Sequence, residues 1–290
     1  MTQTAKTFKE AERNIRRKKL ARKTVLAIVA YSFGIIYFFP ILYMFLTGMK
    51  TELEAVNPSL FFTPTFETYE KIFNDASMYS YMYNSIFHIV TSTLICLLIG
   101  VPASFVIQFG KFKKSTTNDR LHSWFITTIL LPPVAILVPV YLIYNRLGLM
   151  NDIWGLTILY VGFHTPLVIW MVHSFMTDVP RSLIEASEID GCTRTQQMIH
   201  VAVPLVKMGI FSAGMLAAVF IWNEFLLAFQ LTINQTATLS VFMSRFREQQ
   251  GQFTAQLSAS ATLCVLPTLL LGWSTQKSLV KGLTMGAVKG

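Results

Sequence analysis

NSIFHIVTSTLICLLIGVPASFVIQF, residues Asn84 to Phe109, runs for 26 residues without one Asp, Glu, Lys or Arg. A helix rises about 1.5 Å per residue and needs about 20 apolar residues to cross roughly 30 Å of hydrocarbon, so this stretch can span a bilayer. Gly100 and Pro102 inside it do not argue against a helix, because neighbouring helices shelter the backbone groups that such breakers free. Working outward, five more segments share its character: Thr24–Met49, Ser123–Asn145, Trp154–Met176, Met208–Phe229 and Leu257–Ser274. Each holds a breaker as well: Pro40, then Pro132, Pro133 and Pro139, Pro166, Gly209 with Gly214, and Pro267. The pattern predicts an all-α, polytopic membrane protein whose six transmembrane helices pack as a bundle.

The composition carries the same message, with 53% apolar and only 13% charged residues. Ordinary globular proteins carry about 25% charge, so a soluble enzyme is excluded, and the 13% aromatic content excludes disorder. Cys96, Cys192 and Cys264 lie far apart without a CxxC pair or a histidine at ligand spacing. They suggest neither a disulfide framework nor a zinc site, and read as small buried residues.

The net charge of +9 sorts by topology rather than along one soluble surface, which argues against a nucleic-acid partner. Threading six spans puts nineteen of the 24 Lys and Arg on one side. Nine precede the first span; the others are Lys111, Lys113, Lys114, Arg120, Arg181, Arg194, Lys207, Lys277, Lys281 and Lys289. Lys50, Lys71, Arg146, Arg245 and Arg247 fall on the other. By the positive-inside rule both termini are cytoplasmic. The first span is too long for a signal-peptide core and lacks a convincing small-residue cleavage site after it, so it is read as retained. The chain then divides into a basic cytoplasmic N-terminal segment, 1–23, a transmembrane domain, 24–281, and a cytoplasmic tail, 282–290. Phe8 to Lys23 reads as a Lys- and Arg-rich helix lying against acidic headgroups.

Only one inner connection is long, residues 177–207, and a long polar loop confined to one place is an expected interaction surface. It reads as two short helices around a bend. Pro180 suits a first helical turn, Gly191 a left-handed stop, and Thr193 with Gln196 a capping box for the second helix. Pro204 is expected to open the fifth span. Arg181, Glu185 and Glu188 share a face at i, i+4 and i+7, where an internal Arg181–Glu185 pair is the plain expectation.

Glu185-Ala186-Ser187, three residues, Gly191, nine residues, then Val201-Ala202-Val203-Pro204 resembles the EAA loop of ATP-binding-cassette importer permeases. That pattern is E-A-A, three residues, G, nine residues, I-x-L-P; Ser187 replaces the second Ala, and valines replace the Ile and Leu. The tail from Gln276 to Gly290 and the Trp222-Asn-Glu-Phe225 run are similar to the shorter permease of maltose-type carbohydrate and polyol importers.

The resemblance implies the type I ABC importer architecture in a bacterial cytoplasmic (inner) membrane. It implies a second permease as heterodimer partner, a dimer of ATPase subunits, an extracytoplasmic solute-binding protein and a carbohydrate substrate. No GxxxxGK[ST] loop occurs in the chain, so ATP and Mg are expected on the ATPase, with no cofactor, catalytic residue or metal ligand supplied here. Glu185, Ala186, Ser187, Asp190, Gly191 and Pro204 are implied to couple to the ATPase: Glu185 as the anion, Gly191 as the bend, and Ala186 and Ser187 as small residues allowing close approach. Gly282, Gly286 and Lys289 are implied to contact the ATPase from the tail. Gln249, Gln250, Gly251 and Gln252 are implied to reach the docked binding protein.

Asn223 and Glu224 are read as facing the substrate pathway. Glu224 lies seventeen residues beyond Lys207, roughly 25 Å along a helix and toward the outer part of the bilayer. Amide and carboxylate groups suit sugar hydroxyls, and an embedded acid is functional by default, although a carboxylate snorkelling to the outer interface is the plainer alternative. A transporter driven by ion gradients would call for repeats and several embedded acids, of which Glu224 is the one seen. A membrane enzyme would call for more than His88, His122, His164 and His173, which are scattered without metal spacing.

Overall fold

The computed structural model describes residues 2–111, 117–233, 235–247 and 253–287, and every regular element among them is helical. In chain order these are α1 (Thr2–Gly48), α2 (Glu52–Ala55), α3 (Glu67–Asn74), α4 (Ala76–Phe109), α5 (Thr117–Ile129) and α6 (Pro133–Leu147). Next come α7 (Ile153–Met176), α8 (Arg181–Ile189) and the short α9 (Arg194–Gln196). A π-helical segment, Gln197–Ala202, leads into α10 (Val203–Asn223). The chain closes with α11 (Leu226–Leu231), α12 (Leu239–Phe242), a 3-10 turn (Met243–Arg247) and α13 (Thr254–Ala287).

Among the described residues five helices are long and apolar enough to cross a membrane, and α5 with α6 makes a sixth if that bent pair counts as one span. The pair is bent by 87°, so the third span is not the single rod expected from Ser123 to Asn145. Pro132 is extended at φ −70°, ψ 129°, and Pro133 starts α6. Two adjacent residues without an N–H cannot continue the α5 ladder, and the residue before a proline is pushed out of the helical region. The basic segment and the first span form one helix, α1, unbroken from Thr2 to Gly48, in which the stretch apolar enough to cross a membrane is Lys19–Gly48.

The chain forms two compact units, Met1–Tyr69 with Thr254–Thr262, and Glu70–Phe253 with Leu263–Gly290. In the first, the carboxylate of Glu52 accepts hydrogen bonds from the backbone N–H groups of Ala255 (2.9 Å) and Gln256 (3.0 Å). It caps the first turn of α13 from the start of α2, satisfying donors that every helix start leaves open. Lys50, counted above with the outer cations, is 1% exposed; its ammonium donates to the Ser59 carbonyl at 2.6 Å and lies 5.2 Å from the Phe62 ring centroid.

In the second unit α4, α7 and α10 pack on one another, with Cys96, Phe105, Val168, Val172, Met176 and Ala213 in their shared core. Small residues set the spacing, as expected where lipid offers no hydrophobic drive for helix association. A Cβ added at Gly100 of α4 would lie 2.6 Å from Val168 Cγ1 of α7, and one at Gly209 of α10 would collide with the Phe175 ring. Ser104 of α4 donates to the Ile169 carbonyl of α7 at 3.0 Å, and Trp222 of α10 donates to the Cys264 carbonyl at 2.8 Å.

Gly100→Val should therefore force α4 and α7 apart, at about 1 to 3 kcal/mol for overpacking a close contact. Thermal unfolding of the detergent-solubilised protein checks it: a midpoint several degrees below wild type is expected for Gly100→Val, and none for Gly272→Val, where a Cβ meets nothing within 4 Å.

Candidate functional site

The inner loop folds as its turn chemistry requires. Pro180 is the N-cap of α8, and α8 ends in a Schellman arrangement: Cys192 N–H donates to the Ser187 carbonyl (3.0 Å) and Gly191 N–H to that of Glu188 (3.1 Å). Gly191 has φ +83°, the left-handed conformation that side-chain-bearing residues resist. Thr193 and Gln196 then form the expected capping box. The second helix is not a separate piece, however. It continues from Arg194 to Asn223, so the fifth span begins well before Pro204. Pro204 lacks an N–H and its ring crowds the carbonyl four residues back. The π-helical stretch ahead of it absorbs the mismatch, with Val203 N–H bonded to the Met198 carbonyl five residues earlier.

One face of α8 is locked inward. Ile184 and Ser187 are buried, and the Ser187 hydroxyl donates to the Ile184 carbonyl at 2.8 Å. The small side chain at 187 thus serves packing within the chain, whereas the resemblance paired it with Ala186 for approach by a partner. Gln197, 1% exposed, points its amide at the same Ile184 carbonyl at 3.5 Å. Ile184 belongs to one apolar cluster with Phe109, Met176, Ala202 and Val206, which ties α8 to the ends of α4, α7 and α10.

The other face is open. Glu185, Ala186 and Asp190 are exposed, and Ile189 is 87% exposed. Arg181 does not pair with Glu185 as the i, i+4 spacing suggests; its guanidinium donates to the Gln108 carbonyl at the end of α4 (3.3 Å). Glu188 is the residue that gathers cations, with Lys111 Nζ at 2.7 Å and Arg194 Nη2 at 3.6 Å. The Lys111 hydrogen bond first, and the nearby positive charges with it, hold the Glu188 carboxyl below its usual range. A depressed carboxyl contributes above its unfolded pKa and loses that contribution as pH falls through the folded one. The tether therefore stands throughout the neutral range.

At the far end of α10 the helix stops at Asn223, and Glu224 is extended at ψ 122°. The fifth span therefore does not run unbroken to Phe229. The Glu224 carboxylate is half-buried, and both its oxygens are engaged. Oε1 accepts from Leu227 N–H at 2.8 Å; Oε2 accepts from Ala228 N–H at 3.1 Å and from the Tyr160 hydroxyl at 2.9 Å. Two of these three donors are backbone N–H groups of the first turn of α11. Asn223 is exposed, its Nδ2 donating to the Val219 carbonyl at 2.7 Å. Gly282 and Gly286 lie in α13, which continues helical to Ala287. Gln249, Gln250, Gly251, Gln252 and Lys289 lie outside the described residues. Among the described residues no group of three or more His, Cys, Asp or Glu is placed to hold a metal ion.

The roles of Gln197 and Tyr160 were not read from the sequence. A polar residue in the π-helical turn, and a tyrosine in a span opposite an embedded acid, were the available signals.

Residues 98–280 match the family model described as binding-protein-dependent transport system inner membrane component. The sulfoquinovosyl glycerol transport system permease protein of Agrobacterium fabrum is 33% identical over 258 residues, covering 87% of this chain and 89% of that protein. The trehalose/maltose transport system permease protein of Thermococcus litoralis is 26% identical over 280 residues, covering 94% and 99% respectively. A bacterial ABC transporter involved in import of the acidic polysaccharide alginate superimposes with a TM-score of 0.70 at 20% identity, covering 90% of this chain and 97% of that one. At that identity the likeness establishes the fold alone.

Gly191→Val should cost about 1 to 2 kcal/mol through its positive φ, since space around it is open. Hydrogen exchange across 181–192 should rise in Gly191→Val and stay closer to wild type in Gly191→Asn, because asparagine tolerates the left-handed region.

Proposed function

The chain belongs to the family of binding-protein-dependent transport system inner membrane components, and from that membership we propose that it imports a carbohydrate as one of two paired permeases in a bacterial cytoplasmic membrane. It is a multi-pass permease subunit with the type I ABC importer fold, which removes the ion-gradient reading. The carbohydrate assignment draws on the sugar-linked names of its relatives, including those for trehalose in Mycobacterium tuberculosis and for diacetylchitobiose in Streptomyces coelicolor. ATP and Mg are bound by a separate ATPase dimer, and the solute is delivered by an extracytoplasmic binding protein; the alginate transporter has been solved in complex with a pentasaccharide-bound periplasmic protein.

The observation that carries the coupling assignment is the two-sidedness of α8. Ile184, Ser187 and Gln197 lock it to the bundle, while Glu185, Ala186 and Ile189 form an exposed strip combining an anion, a small residue and an unpaired apolar side chain. Such a strip suits a cleft in an ATPase subunit, with Glu185 meeting a cation there and Ile189 losing its contact with water. Asp190 and Gly191 end the docked helix, and Pro204 lies where the loop joins the span. Because α8 is tied to the ends of α4 and α10, closure of the ATPase dimer moves the helices as a body, an alternating-access switch of the rigid-body kind. Asn223, exposed beside the α10 break, keeps its amide oxygen for sugar hydroxyls on the pathway. Gly282, Gly286 and Lys289 add a second ATPase contact from the tail, and Gln249, Gln250, Gly251 and Gln252 meet the binding protein.

The reading is tested by ATPase activity of the reconstituted complex across a panel of sugar-loaded binding proteins; a carbohydrate importer shows stimulation by at least one of them. Glu185→Lys should insert normally yet lose binding-protein-stimulated ATPase, or fail to retain the ATPase subunit. An exposed ion pair contributes only about 0.2 to 1 kcal/mol, so a larger loss comes from mis-docking of the whole helix. Normal uptake by Glu185→Lys with the ATPase bound would remove α8 from the coupling surface.

A further inference from the structure

The transport reading gives no role to one heavily furnished polar region, the stretch from Glu224 to Phe242. It is not a span. After the six residues of α11 the backbone turns out of helical geometry, and such backbone persists within a membrane protein only where protein shelters it. Side chains from two other places supply that shelter. Asn84 Nδ2 donates to the carbonyls of Gln235 and Ala237, each at 3.0 Å, and Ser85 Oγ accepts from Leu239 N–H at 2.7 Å. Asn151, held at φ 54° in the turn before α7, accepts on Oδ1 from Ile233 N–H (2.9 Å) and the Thr236 hydroxyl (2.6 Å). Its own N–H donates to the Leu231 carbonyl at 2.8 Å. Ser240 closes the stretch on itself by donating to the Glu224 carbonyl at 2.8 Å.

Glu224 is where this folded-back stretch begins, and its carboxylate already accepts three donors. A carboxylate has about four lone-pair sites, so a sugar hydroxyl would find at most one left. An anion at a helix N-terminus is favoured by the exposed N–H groups and by the dipole, and the bonds it makes are charge-assisted. We propose that Glu224 is a positioning residue and not a ligand for the transported solute. With Tyr160 it caps α11, fixes the stretch 225–242, and through it places the Met243–Arg247 turn that follows. That turn is held from its other side by Arg245, which donates to Ser77 Oγ at 2.8 Å. On the positive-inside orientation this turn lies on the outer side, so the carboxylate governs how firmly that surface is presented to the binding protein. The functional half of the inference rests on the import reading; the capping half does not.

The test uses the complete importer in lipid nanodiscs with Glu224→Ala, Glu224→Gln and Tyr160→Phe. Amide exchange at Leu227 and Ala228 should rise roughly fivefold or more in Glu224→Ala. A smaller rise is expected in Glu224→Gln, which keeps one acceptor oxygen, and in Tyr160→Phe, which loses one of three donors. Peptides from α4 should exchange as in wild type. The concentration of sugar-loaded binding protein giving half-maximal ATPase stimulation should rise in the same order, with the ranking of sugars unchanged. Wild-type protection at Leu227 and Ala228 in Glu224→Ala would overturn the cap. A changed sugar ranking at unchanged half-saturation would overturn the positioning role in favour of a ligand. If Glu224→Ala does not assemble, Glu224→Gln and Tyr160→Phe carry the same comparisons. A wild-type complex that no sugar-loaded binding protein stimulates would refute the import reading, while the exchange data would still decide the cap.

Discussion

A backbone N–H or carbonyl without a partner costs several kcal/mol in hydrocarbon, and this chain interrupts two of its apolar spans. The two interruptions answer that demand differently. Between α5 and α6 the break falls on Pro132 and Pro133, which have no N–H to satisfy, and Leu130 and Leu131 close the end of α5 with bonds to the Thr127 and Thr128 carbonyls at 3.2 Å. Between α10 and α11 no proline helps. There the donors of a new helix start must be met from outside, and the carboxylate of Glu224 meets them.

The same demand explains polar residues inside otherwise apolar helices. Asn84 and Ser85 of α4 and Tyr160 of α7 are each turned toward backbone or carboxylate groups of the 224–242 stretch. Glu52 does the equivalent for the start of α13 in the other unit. Close helix contact at Gly100 and Gly209 brings α4, α7 and α10 together, and polar side chains then specify which broken segment sits against them.

At the basic-rich end the logic is one of anchoring. A nine-residue helix such as α8 is too short to be stable alone, so its position is set by what it buries. Ile184 inserts into the same cluster that holds the ends of three long helices, and the Lys111–Glu188–Arg194 contacts orient the helix at the surface. The strip left over, Glu185, Ala186 and Ile189, is the part that internal packing does not claim, which is the property a coupling surface requires.

The all-helical class, the apolar stretches that form the long helices, and the Gly191 stop and Thr193–Gln196 cap of the inner loop were legible in the sequence. Each depends on local composition or short spacing: 26 uncharged residues from Asn84, a proline pair, a glycine after nine helical residues, a Thr-x-x-Gln cap. The fate of individual polar side chains was not legible. Arg181 met a carbonyl of α4 instead of Glu185, Ser187 turned inward, and Glu224 found Tyr160 across 64 residues of sequence while Asn84 found the Ala237 carbonyl across 153. Hydrogen-bond demand is written in the residue type, but the partner that meets it is chosen by which helices pack together. The sequence by itself determined which stretches could enter a bilayer; only the tertiary structure decided where the third and fifth of them break and which side chain caps each interruption, because those partners are brought together by packing.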